Sequence, residues 1–151
     1  MEIKPLSVEE VEHVAHELAK KFMSWDEPIS DFSTRFSSVL ERSFSAPFHT
    51  FGRQLYPGLI KKAAILFYLL IKNHPFQNGN KRLAVTTLLI FLMKNDRWLE
   101  LDNQVLYNFA KWVAESDPEL KSEVLLAVEK KIKDNLKDTS DKKAFGVILA
   151  K

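Results

Sequence analysis

Residues 57–93 read PGLIKKAAILFYLLIKNHPFQNGNKRLAVTTLLIFLM, and this stretch decides the fold. Pro57 is suited to the first position of a helix that extends to about Lys72 and is apolar nearly all round. The segment Leu83–Met93 has the same character, and only the turn 73–80 separates the two helices. Helices that are apolar on every side belong in the centre of a domain, so the sequence predicts a central helical hairpin.

Amphipathic helices are predicted on both sides of this hairpin. A capping box of Ser7 and Glu10 begins a first helix that extends to about Met23, and a second helix covers Asp31–Ser43. Apolar spacing predicts which residues of this second helix point inward: Phe32, Phe36, Val39 and Leu40. Two more helices follow the hairpin. The inward face of the first would be Val105, Leu106, Phe109, Ala110 and Val113, and that of the last, which begins at Pro118, would be Leu120, Val124, Leu125, Val128 and Ile132. The predicted fold class is all-α.

Composition limits the class of protein. The 151 residues are 46% hydrophobic with four Gly and six Pro, which favours one helical domain, residues 1–137, followed by a tail, 138–151, of different composition. The chain has no cysteine and a formal net charge of +2, so a disulfide framework is excluded and no direct nucleic-acid binding is expected. Because no apolar run approaches about 20 residues, we predict a cytoplasmic protein that binds no membrane.

Two further features leave their function open. The apolar end of the tail, Phe145–Ala150, could dock on the domain or on a partner, and the sequence does not distinguish these alternatives. His13 and His16 have the spacing of a metal-binding pair. Without a third ligand nearby, however, such a pair is more typical of a solvated helix face.

The turn between the central helices, HPFQNGNKR from His74 to Arg82, concentrates groups that suit a phosphate. Gly79 lets the backbone approach a ligand, and the first N–H groups of the following helix attract an anion. Asn80 adds a side-chain donor, Lys81 a point charge and Arg82 a bidentate fork. The imidazole of His74 can accept a proton from an attacking hydroxyl. The turn predicts phosphoryl or nucleotidyl transfer, although spacing alone fits a plain helix–helix turn equally well.

HPFQNGNKR closely resembles the signature of the Fic/Doc family, HPFx(D/E)GN(G/K)R. The similarity includes APFHTFGRQLYPGLIKKAAILFYLLIKN before the motif and TTLLIFLMKNDRWL after it, so it covers about Ala46–Leu99. Weaker similarity extends from Leu6 to about Lys137. The resemblance implies a Fic/Doc-type helical bundle whose central hairpin carries the HPFxNGNKR loop, with a short flap before it.

The resemblance also implies roles for the matching residues. His74 would be the base that activates a target hydroxyl, and Phe76 would anchor the loop in the core. Gly79 and Asn80 would form an anion hole with their backbone amides, while Arg82 would hold nucleotide phosphates. The flap that clamps a target segment would extend to about Leu55 and include these residues: Pro47, Phe48, His49, Thr50, Phe51 and Gly52.

Three positions distinguish this chain within the family. Lys81 stands where many adenylyl-transferring members have Gly and Doc-like kinases have Lys. Val85 replaces the second arginine of the longer adenylylating motif. Asn78 occupies the acidic position of the signature, so the carboxylate that would bind Mg²⁺ is replaced by a neutral amide oxygen, a weaker ligand for this cation.

The function that the resemblance implies is transfer of a phosphoryl, or less favourably an adenylyl, group from ATP with Mg²⁺ to a Ser or Thr of a target protein. Lys81 and Val85 favour the Doc-like, death-on-curing branch, in which a toxin modifies a translation factor and a separate antitoxin protein restrains it. The alternative, which Asn78 motivates, is a catalytically weakened member that binds nucleotide or protein through the same pocket and flap.

Overall fold

A central pair of helices organises the computed structural model, which describes residues 2–22 and 28–139. α1 covers 8–22 and includes a π-helical segment, Val11–Ala15. The other helices are α2 (Ser37–Ser45), α3 (Leu59–Lys72), α4 (Asn80–Lys94), α5 (Asn103–Glu115) and α6 (Lys121–Asn135). α3 and α4 form the predicted hairpin, and the helical fold class is confirmed. None of the helices in the described ranges is both long and apolar enough to cross a membrane.

The core is centred on the hairpin because its two helices bury side chains on nearly every face. All seven positions from Lys62 to Tyr68 are buried in α3, as are all seven from Arg82 to Leu88 in α4. Phe67 and Phe91 are each only 1% exposed. Full burial of one such ring contributes about 1.5–3 kcal/mol to stability, so the hairpin supplies much of the apolar driving force.

A small antiparallel sheet completes the fold, and the sequence patterns did not predict it. β1 (Arg97–Leu99) follows α4 and pairs with β2 (Leu136–Asp138), which follows α6, with Trp98 opposite Lys137. The indole N–H of Trp98 also donates to the carbonyl of Asp138 at 3.0 Å. The strand therefore includes the first residue of the predicted tail, whose apolar end lies outside the described residues.

The start of the second predicted helix was wrong. Asp31 caps a separate 3-10 turn, Phe32–Thr34, and α2 begins only at Ser37. Between them Phe36 is extended, because its N–H donates to the carbonyl of Pro75 in the central turn at 2.8 Å. As a result the Phe36 side chain, predicted to point inward, is 51% exposed.

Three smaller predictions were also wrong. Pro57 lies outside α3, because Gly58, with a φ of 84°, is the N-cap and the helix begins at Leu59. Val105 is exposed since the buried stripe of α5 passes through its neighbour Leu106. Leu120 is exposed because it ends a 3-10 turn that precedes α6.

A hairpin-like loop occupies the region before α3 and contains the predicted flap. Thr50 forms an antiparallel bridge with Gln54, and Gly52 lies at the tip with a φ of 74°. Lys62 of α3 binds this loop through two hydrogen bonds. Its ammonium group donates to Gln54 Oε1 at 2.7 Å and to the Tyr56 carbonyl at 2.6 Å. Burial lowers the pKa of Lys62, whose side chain lies almost wholly within the protein.

Replacing Lys62 with Met should loosen this loop. The substitution keeps an apolar stem but removes two charge-assisted hydrogen bonds, each worth about 1.5–3 kcal/mol before the gain from burying the thioether. We expect amide hydrogen exchange over 49–56 to accelerate at least tenfold. The matched control is Lys61→Met, which removes only an exposed ion pair with Glu129 and should leave this exchange within twofold. Equal protection in the two variants would contradict the role of Lys62.

Candidate active site

A cavity of about 320 Å³ lies where the central turn meets the first turn of α4. It brings together six residues that the sequence singled out, and adds Ile71 from α3 and Ala114 from α5. The six are His74, Asn78, Gly79, Asn80, Lys81 and Arg82. Within the described ranges, neither Phe76 nor any residue of 47–52 lines this cavity.

His74 lies at the edge of the cavity in an unusual backbone conformation. It follows Asn73, the C-cap of α3, and has a φ of 49°, in the left-handed region that residues other than glycine rarely adopt. Its side chain is exposed and lines the cavity. Strained residues of this kind persist where the surrounding structure imposes them, often at functional sites.

Asn80 closes the turn rather than offering its side chain to a ligand. Its Oδ1 accepts from the N–H of Phe76 at 2.9 Å, and its Nδ2 donates to the Phe76 carbonyl at 2.9 Å. The sequence suggested a side-chain donor for phosphate, but one N–H of the amide and the oxygen are used within the turn. The contribution of Asn80 to an anion site is therefore its backbone N–H, the first of α4.

Gly79 is the N-cap of α4 and adopts a left-handed conformation, with φ 75° and ψ 15°. A Cβ atom built on it would lie 2.9 Å from Cγ1 of Ile29. Both the neighbouring side chain and the dihedral angles therefore disfavour any residue other than glycine at this position. As a glycine, the N-cap has no side chain that could cap the helix. The first N–H groups of α4 and its positive dipole end thus face the cavity.

The charge of the cavity favours an anion. Lys81 is half-buried in its wall, and Arg82 is only 3% exposed. In the part of the chain that the structure describes, no Asp or Glu lines the cavity. Two cations and a helix N-terminus around a space of this size suit the phosphates of a nucleotide.

Phe76 lies in the core, 2% exposed, and packs against Phe32 and His16 with ring centroids 5.9 and 6.4 Å away. His16 is itself buried, and its Nε2 lies 3.0 Å from the carbonyl oxygen of Ser30. The prediction that His13 and His16 share a solvated face was therefore wrong for His16, while His13 is exposed. α1 turns His16 inward, towards the central turn.

Asn78 makes contacts that the sequence did not suggest. Its Oδ1 accepts from the N–H of Ser30 at 2.6 Å, and its Nδ2 donates to the carbonyl of Pro28 at 2.8 Å. These partners lie about 50 positions away in sequence, in a segment without any motif, so no local signal could have identified them. The segment 28–32 therefore packs against the turn.

The residues of this cavity do not fit a protein-held divalent cation. Mg²⁺ is bound in proteins mainly by carboxylates, whereas the oxygen of Asn78 already accepts a short hydrogen bond. Among the described residues, no three His, Cys, Asp or Glu side chains are grouped so that they could hold a metal ion. In this structure the side chain of Asn78 contacts the backbone of Ser30 and Pro28.

The flap and the cavity lie at opposite ends of α4. Phe48, at the base of the flap, packs edge-on against Phe91 in the last turns of α4, with 6.4 Å between centroids. Asn80 begins the same helix, and eleven residues of helix separate these positions by about 16 Å. The structure does not bring the flap residues to the cavity, and their docking role stays a prediction.

Comparison with known proteins identifies the family that the sequence matches. Residues 5–92, more than half of the chain, match the model of the Fic/DOC family. No curated protein and no solved structure matched the chain.

Gly79→Ala should destabilise the protein more than Gly52→Ala. Both glycines have a φ near 75°, so each substitution incurs the left-handed strain of about 1–2 kcal/mol. A Cβ meets open space at Gly52 but Ile29 at Gly79. We expect the free energy of unfolding in urea to fall by about 1 kcal/mol more for Gly79→Ala. When both substitutions are compared in a chain that also carries Ile29→Ala, this difference between them should disappear. Equal losses would show that Ile29 does not close the site.

Proposed function

Because the chain belongs to the Fic/DOC family, we propose that it transfers a phosphoryl group, or less favourably an adenylyl group, from a nucleotide such as ATP to a hydroxyl of a target protein. Members of this family generally carry out such transfers on proteins. The observation that supports the proposal here is the single cavity that joins His74 to Lys81, Arg82 and the start of α4.

The chemistry assigns one task to each group. His74 takes the proton from the target hydroxyl, whose oxygen forms a new bond to phosphorus. The bond from phosphorus to the leaving phosphate oxygen breaks, and its electron pair departs with ADP or, for adenylyl transfer, with pyrophosphate. Lys81, Arg82 and the N–H groups of α4 stabilise the negative charge on the phosphates as it redistributes.

Two positions favour phosphoryl transfer. Lys81 adds a second cation beside Arg82 in the cavity wall. Val85, at the place of the second phosphate-binding arginine in adenylylating members, is fully buried in α4 and offers no polar group. We therefore propose a Doc-like toxin whose target is a Ser or Thr of a translation factor, restrained by a separate antitoxin protein.

A second candidate function is a binding module without efficient transfer. It is favoured by Asn78, whose amide contacts the protein backbone and supplies no negative charge for a metal ion. In that case the same cavity would hold a nucleotide without committing it to reaction.

The test of the proposed function is label transfer in a bacterial lysate with ATP labelled at the α- or the γ-phosphate. We expect γ label to enter a protein band, and His74→Ala to reduce this at least 100-fold because the base is lost. His13→Ala, which changes an exposed histidine on α1, should retain full transfer. Transfer of α label would assign adenylylation. Absence of both labels in a folded protein that binds ATP would favour the binding module.

Lys81→Met should weaken nucleotide binding without unfolding the protein. Removing one ammonium group next to the phosphates costs about 1–2 kcal/mol, so we expect the Kd for ATP to rise about tenfold by calorimetry. Lys133→Met removes an exposed charge from α6 and should change the Kd less than twofold. Equal Kd values for the two variants would place the phosphates elsewhere.

A further inference from the structure

We infer that Asn78 is a positioning residue that fixes the phosphate-binding turn to the segment Pro28–Ser30, and that the cavity binds nucleotide phosphates without a metal ion held by the protein. The second half rests on the proposed function, while the first half concerns the protein alone. Together they give Asn78, which stands at the acidic position of the signature, a role other than binding a metal ion.

The amide of Asn78 is used from both ends. Its oxygen accepts from Ser30, and its nitrogen donates to the carbonyl of Pro28, so one side chain satisfies a donor and an acceptor of the same backbone segment. A carboxylate could accept from Ser30 but could not donate to Pro28, and its charge would face a carbonyl oxygen. The environment of position 78 therefore suits an amide better than a carboxylate.

Ile29 in this segment and Phe32 just after it contact two other residues of the turn. Ile29 covers Gly79, the N-cap of α4. Phe32 packs on Phe76, and the ring of His16 lies within hydrogen-bonding distance of the Ser30 carbonyl. Asn78 adds two hydrogen bonds to the apolar contacts of Ile29 and Phe32, and together these contacts hold the turn that leads into the first residues of α4.

The electrostatic consequence is a cavity that does not need a metal ion to accept phosphates. In an acidic variant of this site, the carboxylate would repel the phosphates unless a cation lay between them. Here an anion meets Lys81, Arg82 and a neutral amide, and among the lining residues that the structure describes none carries a negative charge. The protein itself supplies the positive charge that Mg²⁺ would otherwise contribute.

The experiment compares ATP binding by the full chain in EDTA and in Mg²⁺, for the native protein, Asn78→Asp and Gln77→Glu. Gln77 is the adjacent exposed amide, so its variant adds the same charge without breaking the contacts to Pro28 and Ser30. We expect the native protein to bind ATP at least as tightly in EDTA as in Mg²⁺. Asn78→Asp should weaken binding in EDTA about tenfold, and Gln77→Glu less than threefold.

Two results would overturn the metal-independent cavity: tenfold tighter binding by the native protein in Mg²⁺, or an Asn78→Asp variant that binds or transfers better than the native protein when Mg²⁺ is present. Failure of the native protein to bind ATP in either condition would overturn this half together with the proposed function.

The positioning role is measured separately, without nucleotide, from the hydrogen exchange of the Ser30 amide. Asn78→Ala removes its acceptor and should accelerate this exchange at least tenfold, whereas Gln77→Ala should leave it within twofold. Unchanged exchange in Asn78→Ala would overturn the positioning role even if ATP binds as expected. If Asn78→Ala does not fold, the native protein provides the check. Slow exchange of its Ser30 amide is then the expected result, and exchange as fast as that of an unprotected amide would overturn the positioning role.

Discussion

The structure depends on the burial of two helices that are apolar on nearly every face. Since α3 and α4 carry apolar side chains on most of their faces, each must be largely covered, and α1, α2, α5 and α6 provide that cover. The turn that joins α3 and α4 then has to reverse the chain at the edge of a densely packed core. Its polar groups are satisfied internally through Asn80 or by the neighbouring segment through Asn78. The candidate site is a consequence of this constraint, because the N-terminus of a buried helix exposes its free N–H groups only at this turn.

Much of the fold could be predicted because its information is local. The apolar character of α3 and α4 and the capping box at Ser7 are determined by neighbouring residues. Two of the errors came from long-range contacts. Phe36 is turned outward by a backbone hydrogen bond to Pro75, and β1 is a strand only because β2 lies beside it. No period in the sequence encodes either contact.

The candidate site shows the same division. The groups from His74 to Arg82 are adjacent in sequence, so their convergence could be predicted from the turn alone. The contact between the turn and residues 28–30 could not be predicted. Pro28, Ile29 and Ser30 carry no charge or catalytic group, and they act through backbone atoms and one aliphatic side chain. The use of Asn80 was also missed, since an amide that closes a turn and an amide that binds a ligand have the same sequence. What distinguishes them is the position of the Phe76 backbone.

The pairing of β1 with β2 has a consequence for the order in which the chain folds. The contacts between α3 and α4 join residues that are close in sequence, whereas the sheet joins positions about 40 residues apart, and the entropic cost of closing a loop grows with its length. Local contacts form faster than distant ones. During synthesis the hairpin and its turn therefore have all their residues before β2 exists, and we expect β2 to pair with β1 only after the two helices between them in sequence, α5 and α6, have formed.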